Sequence, residues 1–166
     1  MHLTHQLEIF IDKESKILIL GSFPSVKSRE YNFYYSHKQN RFFPVLAKVF
    51  NEDSPISIDD RKAFLRKHHI ALYDVIYECD IHSSEDSSIR NVIPIDIRKI
   101  LDEYPNIKVI GITGKKAQSL FDKYLKDKVN IEVIYLPSTS PANAKMKLDD
   151  LVLQYKKLSN YMATHI

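Results

Sequence analysis

The sequence predicts an α/β fold, a three-layer αβα sandwich around a central four-stranded, mostly parallel sheet. Three observations predict it: short apolar runs that do not alternate with polar residues, helical segments between them, and polar or glycine-containing clusters after each run. Continuous apolar runs are typical of strands that are buried on both faces, as in parallel sheets. Strands that alternate with helices use right-handed crossovers, which place helices on both faces of the sheet.

Four apolar runs supply the predicted strands. They are residues 16–20 (KILIL), 70–76 (IALYDVI), 108–112 (KVIGI) and 131–136 (IEVIYL). Helices are predicted from capping residues, terminal charges and apolar spacing at residues 44–50, 59–68, 96–104, 115–125 and 148–162. The first helix is placed to begin at Pro44, since proline is tolerated at the first helical position. The third ends before Pro105, because the residue ahead of a proline disfavours helical backbone.

Composition predicts one globular domain that spans residues 1–166. Of 166 residues, 44% are apolar and 27% charged, and the net charge of +3 does not by itself indicate a polyanionic partner. The lone cysteine, Cys79, excludes an internal disulfide and a cysteine-rich metal or iron–sulfur site. No apolar run approaches the ~20 residues of a membrane span, and the N-terminal residues are too polar for a signal peptide. We expect a cytoplasmic monomer without cofactor, metal or membrane partner.

Polar clusters follow each predicted strand. The first strand leads into an aromatic-rich segment at 21–43, and the second into Asp74 and a polar loop at 83–91. The third leads into 113–116 and the fourth into 136–143. In doubly wound α/β folds the ligand site lies beyond the carboxyl ends of the strands. The sequence therefore predicts a ligand site at this edge of the sheet.

Three of these clusters allow two interpretations each. The aromatic segment can stack nucleobases or fold onto the core. The Gly114-Lys115 pair opens a helix, where free N–H groups favour a phosphate, or forms a plain turn. The proline-flanked loop at 137–141 can approach a DNA backbone or serve as a structural turn. The chain has no Gly-x-Ser-x-Gly or His-Glu-x-x-His motif, which disfavours a serine hydrolase and a zinc enzyme.

Four blocks of the sequence, in their order along the chain, resemble the uracil-DNA glycosylase superfamily, and most closely its hypoxanthine-DNA (deoxyinosine) glycosylase branch. They are 20–43 (LGSFPSVKSREYNFYYSHKQNRFF), 71–76 with 86–90 (DSSIR), 111–117 (GITGKKA) and 136–143 (LPSTSPAN). The resemblance covers most of the chain. It implies a monofunctional enzyme that binds damaged DNA, flips out a deaminated base and hydrolyses its N-glycosidic bond to leave an abasic site.

The resemblance also implies a catalytic residue. In the mismatch-specific uracil branch, an asparagine in a Gly-Ile-Asn-Pro-Gly motif positions the attacking water, and Phe23 takes that position here. The Phe23 side chain cannot hold water by a hydrogen bond. In the hypoxanthine branch a later asparagine of the same block takes over, and Asn40 matches it. Asn40 would hold the water or contact the base, and its structural alternative is to cap the helix that follows.

The remaining site residues follow from the same resemblance. Tyr35 takes the position of the base-stacking aromatic residue, and the backbone N–H of Phe23 would contact a base carbonyl. Ser22 and Asp74 are further base-pocket candidates, with a turn cap as the alternative for Asp74. The expected DNA contacts are Ser138, Thr139, Ser140, Lys115 and Arg90.

Three functions remain open on the sequence alone. The first is a glycosylase for a deaminated base, with hypoxanthine favoured and uracil and xanthine as alternatives. The second is a uracil- or mismatch-specific DNA glycosylase. The third is a noncatalytic nucleotide- or DNA-binding α/β domain, which base release would separate from the enzymes. A lyase activity would need an amine nucleophile, and borohydride would trap that enzyme on DNA.

Overall fold

A four-stranded parallel sheet forms the centre of the fold. The computed structural model describes residues 1–81 and 89–161. In chain order the strands are β1 (His2–Thr4), β2 (Ile17–Gly21), β3 (Ile70–Asp74), β4 (Ile76–Ile81), β5 (Ile89–Pro94), β6 (Val109–Thr113) and β7 (Glu132–Leu136). The central sheet has the order β3-β2-β6-β7, and each neighbouring pair runs parallel. The predicted parallel sheet is confirmed.

Helices cover both faces of this sheet. They are α1 (Val26–Tyr31), α2 (Phe42–Val49), α3 (Ile58–Lys67), α4 (Ile97–Glu103), α5 (Lys115–Tyr124) and α6 (Leu148–Tyr155), with 3-10 turns at Lys126–Lys128 and Lys156–Tyr161. Successive side chains of a strand point to opposite faces. Ile17 and Ile19 of β2 therefore pack with α2, α3 and α6, whereas Leu18 and Leu20 pack with α4 and α5. This is the predicted three-layer arrangement.

The strand order creates a topological switch point between β2 and β6. From β2 the chain first forms β3 on one side, and later forms β6 on the other. The strand ends are in register, since Gly21 pairs with Asp74 and Thr113 pairs with Leu136. Ligands of open α/β sheets bind outside the carboxyl ends of the strands at such a point. The polar clusters of the sequence therefore gather at one edge.

A three-stranded antiparallel sheet, with the order β1-β4-β5, accompanies the parallel one and is not predicted by the apolar runs. The single strand predicted at 70–76 is wrong, because β3 ends at Asp74 and β4 begins at Ile76 in the other sheet. The predicted polar loop at 83–91 is wrong at its end, which belongs to β5. Residues 82–88 lie outside the described part of the chain, and with them most of that loop.

The helices match the predicted segments with shifted ends. The predicted start at Pro44 is wrong, since α2 begins at Phe42 and Pro44 is its third residue. Proline is tolerated there because the first N–H groups of a helix have no intrahelical partner. Helix α1 is not predicted, and Ser25 caps it by accepting the N–H of Ser28. The predicted C-terminal helix ends early and continues as a 3-10 turn, and Met162 lies outside the described residues.

Candidate active site

A cleft of about 610 Å³ opens at the carboxyl ends of the parallel strands. This volume lies within the range of small-molecule sites. The sequence-predicted residues that line it are Ser22, Phe23, Tyr35, Asn40, Asp74, Lys115, Ser138, Thr139 and Ser140. Arg90 does not line it; this residue is exposed on β5, where it pairs with Asp80 of β4. The fold thus brings nearly all the predicted site residues to one cavity.

Asn40 is held through its side-chain carbonyl. Its Oδ1 accepts the backbone N–H of Phe42 at 2.8 Å and the hydroxyl of Thr139 at 2.9 Å. A backbone N–H can only donate, so the atom that faces Phe42 is the oxygen, and this fixes the orientation of the amide. Both Oδ1 lone pairs are occupied. Among the described residues nothing accepts from Nδ2, so the N–H₂ group is what Asn40 offers to the cleft. The capping alternative is met in part, because Asn40 satisfies the first N–H of α2.

Arg41 holds the loop between β7 and α6 (residues 137–147) against the start of α2. Its guanidinium donates to the carbonyl oxygens of Ser140 and Asn143, each at 3.0 Å, and also to that of Met146. Hydrogen bonds from a charged donor are stronger than neutral ones. The sequence shows Arg41 within the aromatic-rich segment, but its partners lie about a hundred residues away and leave no local signal.

The three hydroxyl residues of this loop have different roles in the structure. Thr139 is 2% exposed and its hydroxyl donates to Asn40, which does not fit the expected DNA contact of that side chain. Ser138 Oγ accepts the N–H of Ser140 at 3.1 Å, and Ser140 Oγ accepts the N–H of Ala142 at 3.2 Å. These two turns stiffen the loop. Both serine hydroxyls keep their own protons for donation to a ligand.

Tyr35 lines the cleft. One face of its ring stacks on Phe42, with ring centroids 3.9 Å apart and planes at 11°. The hydroxyl lies 3.4 Å from Oγ1 of Thr113. Burial, and next the Asp74 carboxylate, raise the pKa of Tyr35, so its hydroxyl stays protonated. The φ angle of 55° is in the left-handed region, where a bulky residue is strained by ~1–3 kcal/mol.

Asp74 ends β3 as a buried acid, 5% exposed. Its Oδ2 lies 2.9 Å from Nε2 of His5, whose side chain is fully buried. Its Oδ1 lies beside Gly21, where a built Cβ would come within 2.7 Å of that oxygen. Glycine at position 21 therefore lets the carboxylate reach the end of β2. The turn-cap alternative is not seen, since no described backbone N–H donates to the Asp74 side chain.

Three further residues of the site are not singled out by the sequence. His5 contacts Asp74 from the N-terminal segment. The Arg29 guanidinium lies 6.0 Å from the ring centroid of Phe23, and both line the cleft. His37 also lines it. An isolated histidine or arginine has no spacing signature, and α1, which carries Arg29, is too short to show helical periodicity.

Lys115 and Lys116 open α5 at the rim of the cleft. Gly114 precedes them with a φ of 88°, a conformation that favours glycine. A Cβ at Gly114 would lie 3.4 Å from Cβ of Ser138. The glycine thus lets the helix begin close to the β7–α6 loop. Lys115 is exposed and contributes positive charge to this rim.

The chemistry of the cleft is that of amide, hydroxyl, carboxylate and aromatic groups. In the part of the chain that the structure describes, no three His, Cys, Asp or Glu residues gather to hold a metal ion. Within the same part, no helix has the length and apolar character needed to cross a membrane. The cleft can donate from Asn40, accept at Asp74 and stack at Tyr35, which suits a planar polar ring.

A three-layer α/β domain with a polar, aromatic-lined cleft at its switch point defines a class of ligand-binding enzyme folds. The family model for the uracil DNA glycosylase superfamily matches residues 9–160. The chain therefore belongs to the uracil DNA glycosylase superfamily and is a DNA glycosylase, as the sequence resemblance predicts.

Individual proteins agree with this membership. The chain is 31% identical over 136 residues to a hypoxanthine DNA glycosylase of Methanosarcina barkeri, and 29% identical over 136 residues to one of Methanosarcina acetivorans. Each match covers 81% of this chain and 85% of the relative. A solution NMR structure of a proposed uracil DNA glycosylase from Methanosarcina acetivorans is similar with a TM-score of 0.79 and 24% identity, over 96% of this chain and 99% of that one. The last comparison supports the fold.

Proposed function

We propose that this glycosylase hydrolyses the bond between hypoxanthine and deoxyribose in DNA and leaves an abasic site. The observation that carries the proposal is that one cleft holds an amide donor on Asn40 and a carboxylate acceptor on Asp74. Hypoxanthine offers the complement, a lactam N1–H donor beside the acceptors O6, N3 and N7. The two relatives named hypoxanthine DNA glycosylase support this substrate.

The base must leave the duplex to reach the cleft, which costs a few kcal/mol of stacking and pairing. The Tyr35 ring, which lines the cleft, would replace part of that stacking, since stacking on an aromatic side chain contributes about 1–3 kcal/mol per base. The hydroxyls of Ser138 and Ser140 and the ammonium of Lys115 lie at the rim, where the flanking phosphates would pass. Arg90 would contact a phosphate farther from the cleft.

In the reaction, the bond between C1′ and N9 breaks and its electron pair leaves with the base. The sugar becomes oxocarbenium-like and negative charge develops on hypoxanthine. Nδ2 of Asn40 donates to an acceptor of the departing base and stabilises that charge, as a preorganised donor does in other enzymes. Water adds its hydroxide to C1′, and its proton neutralises the base. Oδ1 of Asn40 takes no proton from the water, because Phe42 and Thr139 already occupy it.

The test is single-turnover base release from duplexes that carry hypoxanthine, uracil or xanthine, with abasic sites revealed by alkali. Wild type releases hypoxanthine, and Asn40→Ala lowers the rate by about 100- to 1,000-fold, the usual effect of removing one such donor. DNA binding persists in this variant. The matched control is Asn130→Ala, at an exposed position outside the cleft, which keeps the wild-type rate. Binding of every lesion without release of any base by wild type would contradict the proposal.

Uracil is the second candidate substrate. Its N3–H is a lactam donor like N1–H of hypoxanthine, so Oδ1 of Asp74 would accept from either base. The ratio of release rates for the two lesions decides between them.

A further inference from the structure

We propose that His5 is a positioning residue for base recognition, which holds Asp74 so that Oδ1 is a hydrogen-bond acceptor aimed at the base. The inference rests on the proposed function and deepens it, since it names the group of the base that the cleft recognises, the N1–H of hypoxanthine. His5 lies in the N-terminal segment, 69 residues from Asp74 in the chain.

The hydrogen bonds of His5 fix where its protons lie. Its Nδ1 is 2.9 Å from the carbonyl oxygen of Leu7, and a carbonyl can only accept, so Nδ1 carries a proton. Its Nε2 is 2.9 Å from Oδ2 of Asp74. That second contact requires one proton between the two atoms, on either side. In both cases Oδ2 is engaged, and Oδ1 is left as an acceptor.

The ring of His5 cannot turn away from this contact. Its side chain is fully buried, and its backbone N–H donates to the carbonyl oxygen of Tyr77 on β4 at 2.6 Å. The ring centroid lies 4.6 Å from that of Tyr73 and 5.9 Å from that of Phe23. The antiparallel sheet therefore contributes to the site, because β4 anchors the N-terminal segment whose His5 orients Asp74.

Oδ1 of Asp74 is available to a ligand. Among the described residues none donates a hydrogen bond to it, and Asp74 lines the cleft. Oδ1 lies beside Gly21 at the end of β2, which has no side chain to cover it. Asp74 thus offers one acceptor atom, Oδ1, to the cleft, while its other oxygen, Oδ2, is held by His5.

A hydrogen-bond acceptor at this position distinguishes hypoxanthine from adenine, the base from which it forms by deamination. Adenine has a lone pair at N1, which would meet the lone pairs of Oδ1. Deamination to hypoxanthine places a hydrogen on N1, which Oδ1 accepts. Guanine also has an N1–H, so this contact separates hypoxanthine from adenine and not from guanine.

The experiment compares wild type with His5→Leu and His5→Gln. Equilibrium binding is measured on uncleavable 2′-fluoro duplexes that carry hypoxanthine or unsubstituted purine, which has a lone pair at N1. Wild type binds the hypoxanthine duplex more tightly. His5→Leu loses that preference by weakening only hypoxanthine binding, by roughly 10- to 100-fold, the effect of losing a hydrogen bond to a charged group. His5→Gln, whose amide can donate to Asp74, recovers most of it. Single-turnover release of hypoxanthine follows the same order.

The outcomes are distinguishable. An active wild type without the hypoxanthine preference, or a His5→Leu variant that keeps the preference or weakens both duplexes equally, overturns the role of His5 and leaves the proposed function standing. A wild type that releases no base overturns the proposed function and the inference with it. Should His5→Leu not fold, ¹⁵N NMR of the wild-type His5 ring decides: an Nε2 resonance typical of a hydrogen-bonded nitrogen supports the inference, and one typical of a free nitrogen overturns it.

Discussion

The hydroxyl of Thr139 donates a hydrogen bond to Oδ1 of Asn40 at 2.9 Å, across 99 residues of sequence. The contact joins the segment that follows β2 to the loop that follows β7. Together with the N–H of Phe42 it fills the carbonyl end of the Asn40 amide and leaves the N–H₂ end for the cleft. The two sequence motifs are therefore one structural unit, in which a backbone N–H orients the proposed catalytic amide and a buried hydroxyl holds it.

Thr139→Val tests this orientation. Valine has nearly the shape of threonine but cannot donate, so Oδ1 of Asn40 loses one of its two partners. A net hydrogen bond contributes about 0.5–1.5 kcal/mol, so we expect hypoxanthine release to slow by roughly 2- to 10-fold with DNA binding retained. Thr139→Ser, which keeps the hydroxyl, is the control and should stay near the wild-type rate. A wild-type rate in Thr139→Val would contradict the role assigned to Thr139.

Asn40→Asp distinguishes an amide that donates from one that accepts. The aspartate can still accept from Phe42 and Thr139, but it presents an oxygen to the cleft in place of N–H₂. Because Asn40 is proposed to donate to the departing base, we expect a loss of at least about 100-fold in single-turnover release, comparable to removing the donor. The thermal midpoint should change little, since the contact with α2 persists. Release equal to or faster than wild type would assign Asn40 to the water.

The sequence predicts the central part of this architecture and misses what depends on distant partners. The apolar runs locate all four parallel strands, and because parallel strands end at the same edge, the polar clusters after them meet in one cleft. The antiparallel sheet is missed because β4 (IYECDI) mixes charged and apolar residues and β1 has only three residues. The link between His5 and Asp74 spans 69 residues and has no local pattern. The second partner of the Asn40 carbonyl oxygen, the hydroxyl of Thr139, is likewise 99 residues away and leaves no local pattern.

Gly21→Ala should displace Asp74. The new Cβ would lie 2.7 Å from Oδ1, so the carboxylate must move and its contact with His5 must weaken. We expect loss of the preference for hypoxanthine over unsubstituted purine and slower base release. Gly111→Ala is a matched control in the same sheet, because its Cβ would meet the end of the Leu136 side chain at 3.2 Å. That variant should lose some thermal stability and keep the preference. Equal preferences in the two variants would argue against the Gly21 contact.

Lys115→Gln tests the proposed DNA-facing rim. If Lys115 contacts one phosphate, its loss weakens DNA binding and reduces the slope of log Kd against log salt by about 0.9. The effect should be the same for damaged and undamaged duplexes, since a phosphate contact carries no base information. Lys126→Gln, in the 3-10 turn after α5 and outside the cleft, should keep the wild-type slope. Binding titrations between low and moderate salt measure both slopes, and an unchanged slope in Lys115→Gln would remove this residue from the interface.

Because Tyr155 is buried, we expect the free energy of unfolding to fall at alkaline pH. It is fully buried, and its hydroxyl donates to the carbonyl oxygen of Pro137 at 2.6 Å, where the β7–α6 loop begins. Burial raises the pKa of Tyr155 well above its ordinary value. The folded protein keeps this proton while the unfolded chain releases it above pH about 10. The contribution to stability is therefore complete below that pH and declines above it, by up to about 1.4 kcal/mol per pH unit.

Tyr155→Phe checks the sign of this dependence. At neutral pH the variant should unfold about 1 kcal/mol more easily, because the bond to Pro137 is lost. Above pH about 10 its free energy of unfolding should fall less steeply than that of wild type, since the phenylalanine has no proton to release in the unfolded chain. Urea unfolding at a series of pH values measures both curves, and they should converge as the pH rises. Curves that stay parallel through the alkaline range would show that Tyr155 titrates alike in the folded and unfolded states.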